Sequence, residues 1–203
     1  MTDGADDSDG KPGLAAQRDV EQVYQPAEDS KLLADAVVER VGDGDRALDV
    51  GTGSGYVAAR MREAGADAVG ADLNPHACRQ AAEAGVPAVR ADLTGPFRDG
   101  AFDVVTFNPP YLPTEPEKEW DDWMERALSG GADGRAAIDP FLDDVSRVLR
   151  PGGAAYLLVS SLTDPDAVRE RAAENGLASE EVASESHPFE TLLVVEFTRT
   201  DGD

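Results

Sequence analysis

The segment TFNPPYLP, from Thr106 to Pro113, contains residues whose types and spacing suit chemistry. It ends the apolar run FDVVTF, which is typical of a buried strand. Two adjacent prolines, Pro109 and Pro110, remove two backbone donors, fix two φ angles and favour extended geometry in the residues before them. This rigidity indicates that the side chain of Asn108 and the carbonyl oxygen of Pro109 are held still to face a ligand. A plain strand-ending turn is the alternative interpretation.

A second candidate site is the glycine-rich stretch LDVGTGSG, which follows one predicted strand and opens a helix. Gly51, Gly53 and Gly55 would let the backbone approach a ligand closely in a tight turn. A dinucleotide fingerprint has the spacing G-x-G-x-x-G, which would place its third glycine at Tyr56. Asp49, two residues before the first glycine, suits a cationic ligand better than a pyrophosphate. An ordinary glycine-rich turn is the alternative.

Two further aspartates end the next two predicted strands. Asp72 stands where an acidic side chain accepts the hydroxyls of a ribose, and Asp92 is within reach of an adenine amino group. Either residue alone is equally well read as a turn former. Ligands of parallel sheets bind outside the carboxyl ends of the strands, so the three aspartates should lie together. They predict a site for S-adenosylmethionine, whose sulfonium and amino groups are positive and which has no phosphate.

The rest of the chain supplies elements that can position these residues. Strands are predicted at RALDV, DAVGAD, PAVRAD, AFDVVTF and AAYLLVS, and two more close the chain around SEEVAS and TLLVVEF. Helices are predicted at QPAEDSKLLADAVVERV, YVAARMREAG, PHACRQAAEAG, AAIDPFLDDVSRVL and DPDAVRERAAENG. The alternation predicts an α/β fold, with a mostly parallel, doubly wound sheet and an antiparallel final pair. Residues 1–19 are predicted to be a disordered acidic tail, and residues 20–200 a single domain.

Composition limits the choice of function only in part. The chain has 18 Lys and Arg against 41 Asp and Glu, a net charge of −23. The acidic residues are dispersed, which favours a halophilic surface over a specific acidic patch that repels nucleic acid. A single cysteine, Cys78, and two histidines favour neither a disulfide nor a metal site. The chain has no apolar run of 18 residues and begins with an acidic, polar stretch, so we expect a cytoplasmic protein without membrane contact.

The motifs DVGTGSG, ADLN, RADL and NPPY, in that order, resemble those of the class I methyltransferases and specifically their HemK-like branch. The segments VYQPAEDS and LSGGADGRAAID are similar to those of its short archaeal and eukaryotic members. These methylate the glutamine of the GGQ motif in class 1 release factors, together with a small zinc-binding activator. The resemblance covers Val23 to Phe197. It implies a Rossmann-like sheet of order 3-2-1-4-5-7-6 with the last strand antiparallel. The chain departs from bacterial HemK proteins, because only an acidic stretch of about twenty residues stands where those carry a helical domain.

The resemblance also implies roles for individual residues. The side-chain oxygen of Asn108 and the main-chain oxygen of Pro109 would each accept a hydrogen bond from the substrate NH₂ group and point its nitrogen at the sulfonium methyl. Pro109 and Pro110 would keep these acceptors still, and Tyr111 would form a wall of the pocket. Ser30 would help to hold the methionine end of the cofactor, although serine at a helix start is often a cap. The expected cofactor-binding residues are Ser30, Asp49, Gly51, Gly53, Gly55, Asp72, Leu73, Asp92, Leu93 and Asn108, and the expected product is S-adenosylhomocysteine.

The predicted partner is the activator, in a heterodimer. The third strand, residues 87–91, would lie at an edge of the sheet, where unpaired backbone groups invite another chain. Trp120 and Trp123 are expected to pack locally, and the segment from Ser129 to Arg135 to shape the acceptor entrance.

An N-methyltransferase acting on an exocyclic amine of adenine or guanine is the main competing function. No basic stripe or spare reading domain supports it, so no direct contact with nucleic acid is expected. A small-molecule methyltransferase is disfavoured because no lid domain is visible in the sequence. A cofactor-binding scaffold without activity is disfavoured by the intact NPPY motif.

Overall fold

The computed structural model describes residues 23–114 and 123–200, and within them seven strands form one sheet in the order β3-β2-β1-β4-β5-β7-β6. Neighbours from β3 to β5 are parallel, whereas β7 is antiparallel to both β5 and β6. The predicted strand order and directions are therefore confirmed. The strands are β1 (Arg46–Val50), β2 (Asp67–Asp72), β3 (Ala88–Arg90), β4 (Phe102–Phe107), β5 (Leu149–Ser160), β6 (Leu177–Ser186) and β7 (Thr191–Arg199).

Helices cover both faces of this sheet, and local sequence explains where several of them begin. Pro75 and Pro165 occupy the first turns of their helices, where a missing N–H is tolerated. The residues before them, Asn74 and Asp164, cap these helices by accepting hydrogen bonds from backbone N–H groups. The helices are α1 (Glu28–Val38), α2 (Tyr56–Glu63), α3 (Pro75–Glu83), α4 (Trp123–Leu128), α5 (Ile138–Val148) and α6 (Pro165–Glu174), with a 3₁₀ turn at Ser161–Thr163.

The core consists of two apolar clusters, one on each face of the sheet. In β1, Leu48 belongs to the cluster that contains Phe141 of α5, whereas Ala47 belongs to the cluster that contains Leu33 of α1. This alternation follows from the period of two along a strand. Because both faces are covered, the central strands are apolar along most of their length instead of alternating with polar residues.

Two of the boundaries that differ from the prediction bear on the site and on the sheet. Strand β5 begins at Leu149, so the RPGG segment lies within it and not before it. Pairing with β4 shifts there between Phe102 and Val104, and Gly152 has a φ of +78°, which suits glycine. Strand β3 ends at Arg90, so Asp92 lies beyond the strand instead of ending it.

Two predictions fall on other parts of the chain. The predicted tail, residues 1–19, and Trp120 lie outside the described residues. Trp123, expected in a loop, begins helix α4. Among residues 23–114 and 123–200, none of the helices has the length and apolar character that crossing a bilayer requires.

Candidate active site at the carboxyl ends of the strands

A cavity of about 360 Å³ opens at the carboxyl ends of β1, β2 and β4. It lies where the strand order reverses between β1 and β4, the position at which ligands bind in open α/β sheets. Its volume is that of a small-molecule site. Of the residues that the sequence predicted, the cavity is lined by Ser30, Asp49, Gly51, Gly53, Asp72, Leu73, Asp92, Leu93, Asn108 and Pro110. Gly55, Pro109 and Tyr111 are not among its lining residues.

The glycine loop after β1 forms one wall of the cavity. Gly51 and Gly53 have φ values of +61° and +53°, which favour glycine. A Cβ at Gly51 would lie 3.2 Å from the ring of Phe107, so the loop also packs closely on the end of β4. Gly55 has a different role, because a Cβ there would lie 3.0 Å from the Cβ of Ala81 in α3. Its lack of a side chain allows α2 to start close against α3.

Asp49 is the most deeply buried carboxylate of the cavity, with 2% of its surface exposed. It accepts hydrogen bonds from the hydroxyls of Thr52, at 2.7 Å, and Thr106, at 2.8 Å. Burial raises the pKa of Asp49 to about 6, although both hydroxyl bonds act in the opposite direction. Because these partners are neutral, a cation in the cavity would stabilise the ionised form.

Asp72 ends β2 and holds the glycine loop. One of its carboxylate oxygens accepts the N–H of Gly53 at 3.0 Å, and the other accepts the N–H of Asn74 at 2.8 Å. Burial raises the pKa of Asp72 above its ordinary value. Each carboxylate oxygen has two acceptor positions, so one on each oxygen remains for a pair of hydroxyl donors.

The wall beyond β3 is more open. Asp92 is exposed, whereas Leu93 is half-buried and has a φ of +46°, an uncommon value for a residue with a side chain. Leu73, 43% exposed, faces the cavity from the end of β2. Two leucines and a carboxylate therefore surround this part of the cavity, which suits a flat, apolar group with an amine at its edge.

Asn108 follows β4 and carries an unpaired polar atom. Its side-chain nitrogen Nδ2 donates a hydrogen bond of 3.3 Å to Ser30 Oγ. Its oxygen Oδ1 is buried and has no hydrogen-bond partner among the described residues. A buried acceptor without a partner is unfavourable by about 1–3 kcal/mol, so a ligand that donates a hydrogen bond would be stabilised here.

Ser30 is buried in α1 and does not cap it. The N-cap position is Ala27, which makes no side-chain cap bond. Ser30 instead donates its hydroxyl to Asp29 Oδ1 at 3.2 Å, and Asp29 Oδ2 accepts the hydroxyl of Tyr24 at 3.2 Å. Tyr24 lines the cavity, and burial together with the charge of Asp29 raises the pKa of Tyr24 to about 12.

The residues after Asn108 differ in their exposure to the cavity. Pro109 is buried behind it and Pro110 lines it. Tyr111 packs beside the cluster under α1, and burial, followed by the charges of Asp29 and Glu190, raises the pKa of its hydroxyl. Tyr111 is therefore a neutral, supporting side chain at neutral pH.

The segment SGGADGR, residues 129–135, contacts the backbone of Tyr111 and Leu112 and so supports the residues that follow Asn108. Gly130 N–H donates to the carbonyl oxygen of Leu112 at 2.9 Å. A Cβ at Gly134 would lie only 2.6 Å from the carbonyl oxygen of Tyr111, so only glycine allows this approach. Arg135 does not line the cavity; its guanidinium donates to the carbonyl oxygen of Thr163 at 3.0 Å and to Asp133 at 2.8 Å.

Tyr24, Trp123 and Arg126 are among the lining residues that were not predicted from the sequence as site residues. Tyr24 lies in the segment VYQPAEDS, and the resemblance of that segment to a known family could have identified Tyr24 as a site residue. Trp123 was expected to pack locally, but it lines the cavity, and the guanidinium carbon of Arg126 lies 5.5 Å from its ring centroid. Among the described lining residues Arg126 is the one cation, against the carboxylates of Asp49, Asp72 and Asp92. This balance disfavours a phosphate-bearing ligand.

Comparisons with known proteins agree with this geometry. A family model described as a methyltransferase domain matches residues 48–109, which hold the glycine loop, Asp72 and Asn108. A Methanocaldococcus jannaschii protein, provisionally named a protein N5-glutamine methyltransferase, is 36% identical over 86% of this chain and 90% of its own. Methyltransferase HEMK2 of Homo sapiens is 32% identical over 88% of this chain and 90% of its own.

A solved structure is also similar over most of the fold. It is the Mtq2–Trm112 complex of E. cuniculi, described as responsible for the methylation of the translation termination factor eRF1. The match has a TM-score of 0.75 and 31% identity, and it covers 88% of this chain and 99% of the other.

Proposed function

The chain belongs to the HemK-like protein N5-glutamine methyltransferases, and from this membership we propose its reaction and substrate. It transfers a methyl group from S-adenosylmethionine to the side-chain nitrogen of the glutamine in the GGQ motif of a class 1 release factor. S-adenosylhomocysteine is the second product. The observation that carries this proposal is the buried, unpaired oxygen of Asn108 at the wall of an acidic cavity, because it calls for a ligand with an N–H group.

The residues of the cavity fit the cofactor. Asp72 would accept the ribose hydroxyls with its remaining lone pairs, and Asp92 would accept the adenine amino group, with Leu73 and Leu93 against the ring. Asp49 favours the positive end of the cofactor, because it is buried among neutral partners. Ser30, Gly51, Gly53 and Asn108 line the cavity and would border the amino-acid end, and Gly55 supports the loop by letting α2 pack on α3.

The protein contributes orientation more than proton transfer. The bound cofactor supplies an electrophilic methyl group on its sulfonium. A primary amide is a poor nucleophile, because its lone pair is delocalised into its carbonyl. Asn108 Oδ1 and the Pro109 carbonyl oxygen each accept one N–H of the substrate amide and so hold its nitrogen in line for attack. They also stabilise the positive charge that develops on nitrogen as the nitrogen–carbon bond forms and the carbon–sulfur bond breaks. An N–H proton is then released.

The supporting residues keep these acceptors in place. The ring of Pro109, which is buried behind the cavity wall, fixes the φ angle next to Asn108, and Pro110 restricts the backbone of Pro109. Tyr111 remains neutral, packs under α1 and is braced from behind by Gly134. The reaction thus needs no histidine or other general base before the transfer step.

The open edge of β3 is the proposed contact with a small zinc-binding activator subunit. The carbonyl of Pro87 and the N–H of Ala91 bond to β2. Backbone groups alternate in direction along a strand, so those of Ala88 and Arg90 point away from the sheet. The side chain of Val89 is 43% exposed on the same strand. A strand of the activator added here would form a heterodimer. We expect the enzyme to work in the cytoplasm, where its substrate acts in translation.

Mass spectrometry of a cognate release factor tests the proposal. The factor is incubated with S-adenosylmethionine and either the wild-type chain or Asn108→Ala, with and without the activator, in molar KCl. We expect a mass increase of one methyl group on the GGQ glutamine with the wild type, and none with Asn108→Ala, although both bind the cofactor. If the wild type binds the cofactor but leaves the factor unmodified in every condition, the substrate assignment is wrong. A nucleic-acid amine then becomes the acceptor to test.

A further inference from the structure

We propose that Asp29 and Ser30 are positioning residues that fix the orientation of the Asn108 amide, and that they thereby make the site select glutamine over glutamate. This inference rests on the proposed function, because it concerns the group that the same site accepts. It goes beyond that proposal by assigning the selection to two residues of α1 that lie 79 and 78 positions before Asn108 in the chain.

Four hydrogen bonds connect these residues. Asp29, 5% exposed, accepts the Ser30 N–H at 2.6 Å and the Ser30 hydroxyl at 3.2 Å, both at Oδ1. Its other oxygen accepts the Tyr24 hydroxyl at 3.2 Å. Ser30 Oγ in turn accepts the Asn108 Nδ2–H at 3.3 Å. Asp29 is therefore held from two sides, and Ser30 links it to the acceptor loop.

The number of protons on the Ser30 hydroxyl determines which group donates in each of these hydrogen bonds. A serine hydroxyl has one proton, and Ser30 donates it to Asp29, since an ionised carboxylate can only accept. Ser30 therefore offers only lone pairs to Asn108. The NH₂ end of Asn108 must face Ser30, which leaves Oδ1 as the end without a protein partner among the described residues. The reversed amide would oppose an oxygen lone pair to another oxygen lone pair.

The fixed orientation determines what the site accepts. Glutamine and glutamate have nearly the same shape, but the glutamine nitrogen donates hydrogen bonds whereas a glutamate carboxylate only accepts them. With Oδ1 as the free end, Asn108 attracts the amide and repels the carboxylate. With the amide reversed, Nδ2 would donate to the carboxylate and the preference would weaken. A site that is built to bond one polar group rejects an analogue that lacks it.

The test compares Ser30→Ala with wild type and with Ser30→Thr, which keeps a hydroxyl. Each full-length chain is assayed with the activator on the GGQ release factor. A release factor whose GGQ glutamine is replaced by glutamate serves as the competitive inhibitor. For Ser30→Ala we expect kcat to fall about tenfold or more through misplacement of the amide. The ratio of the affinity for the glutamine factor to that for the glutamate factor should fall about tenfold. Ser30→Thr should restore both kcat and this ratio.

Asp29→Asn is the matched control for charge. Its side-chain oxygen still accepts the Ser30 hydroxyl, so the orientation of Asn108 and the preference for glutamine should persist. Calorimetry measures S-adenosylmethionine binding by every variant, and melting curves check folding. An unchanged preference in a folded Ser30→Ala overturns the inference. So does a loss confined to cofactor affinity, because Ser30 would then serve the cofactor alone. If the wild type methylates no release factor, the proposed function fails first, and this inference falls with it.

Discussion

Thr106 donates a hydrogen bond of 2.8 Å to the buried carboxylate of Asp49, across the paired strands β4 and β1. Asp49 stands two residues before Gly51, and Thr106 stands two residues before Asn108. The bond therefore holds the glycine loop after β1 and the proposed acceptor loop after β4 in one register.

Cofactor affinity should depend on pH through Asp49. Burial raises the pKa of Asp49 to about 6, and a positive ligand favours its ionised form, so binding should release a proton near that pH. We expect the Kd for S-adenosylmethionine to rise as the pH falls below about 6, by at most about tenfold per pH unit. Titration calorimetry from pH 7 to pH 5 measures this. Asp49→Asn should bind more weakly at pH 7 and show a flatter profile, and an equal slope in both proteins would contradict the assignment.

The stability of the ligand-free protein should show the opposite trend with pH. Because the folded-state pKa of Asp49 lies above the ordinary value of 3.8, the folded state holds more protons between about pH 4 and 6. The free energy of unfolding should therefore fall as the pH rises through this window. Asp49→Asn should lack this part of the fall, so its stability relative to wild type should increase by on the order of 3 kcal/mol between pH 4 and pH 7. Urea unfolding at pH 4, 5, 6 and 7 checks both proteins, and parallel curves would contradict the prediction.

The sequence predicted the parts of the fold that depend on local patterns. Strand β1 was predicted with its observed first and last residues, because a short apolar run bounded by polar residues and glycines is typical of a buried strand. Strand β3 was predicted at residues 87–92, but it comprises only Ala88–Arg90. A short edge strand lacks the burial that fixes where it ends. The bond between Ser30 and Asn108 was not predicted, since no local pattern specifies a partner 78 residues away.

High salt should stabilise the folded chain. A net charge of −23 produces repulsion over the surface, and the Debye length shrinks from about 10 Å at 0.1 M to about 3 Å at 1 M salt. Screening also weakens ion pairs such as Arg171–Asp143, but such exposed pairs contribute little. We therefore expect the free energy of unfolding at pH 7 to increase from 0.1 M to 2 M KCl. The increase should shrink at pH 4, where carboxylates are partly protonated, and an equal effect at both pH values would contradict the explanation by charge.

Ala88→Pro should weaken binding of the activator without disturbing the active site. Proline removes the N–H of residue 88, which points to the open edge of β3, and leaves the bonds of Pro87 and Ala91 to β2 in place. We expect roughly a tenfold increase in the Kd for the activator, measured by calorimetry, with unchanged affinity for S-adenosylmethionine. Ala88→Ser keeps the N–H and should bind the activator normally. Equal binding by both variants would show that the activator does not pair with β3.

Gly134→Ala and Gly152→Ala form a matched pair that separates steric clash from backbone strain. Their φ values are +77° and +78°, so each alanine carries similar backbone strain, about 1–2 kcal/mol. At Gly134 the new methyl would lie 2.6 Å from the Tyr111 carbonyl oxygen and 2.7 Å from the Thr163 side chain, whereas at Gly152 it meets nothing within 4 Å. The Tyr111 backbone must therefore shift in Gly134→Ala, and Asn108 lies three residues before it.

Gly134→Ala should accordingly lower kcat for methyl transfer by at least about tenfold, since small misplacements of an acceptor slow a reaction that depends on alignment. Its affinity for S-adenosylmethionine should stay within about threefold of wild type, because the strain and the contact leave Asp49 and Asp72 untouched. Gly152→Ala should lose only the stability that backbone strain costs and should keep kcat. Thermal melts, calorimetry and a methylation assay separate these effects. An equal loss of kcat in both variants would mean that general destabilisation, and not the contact with Tyr111, governs the acceptor loop.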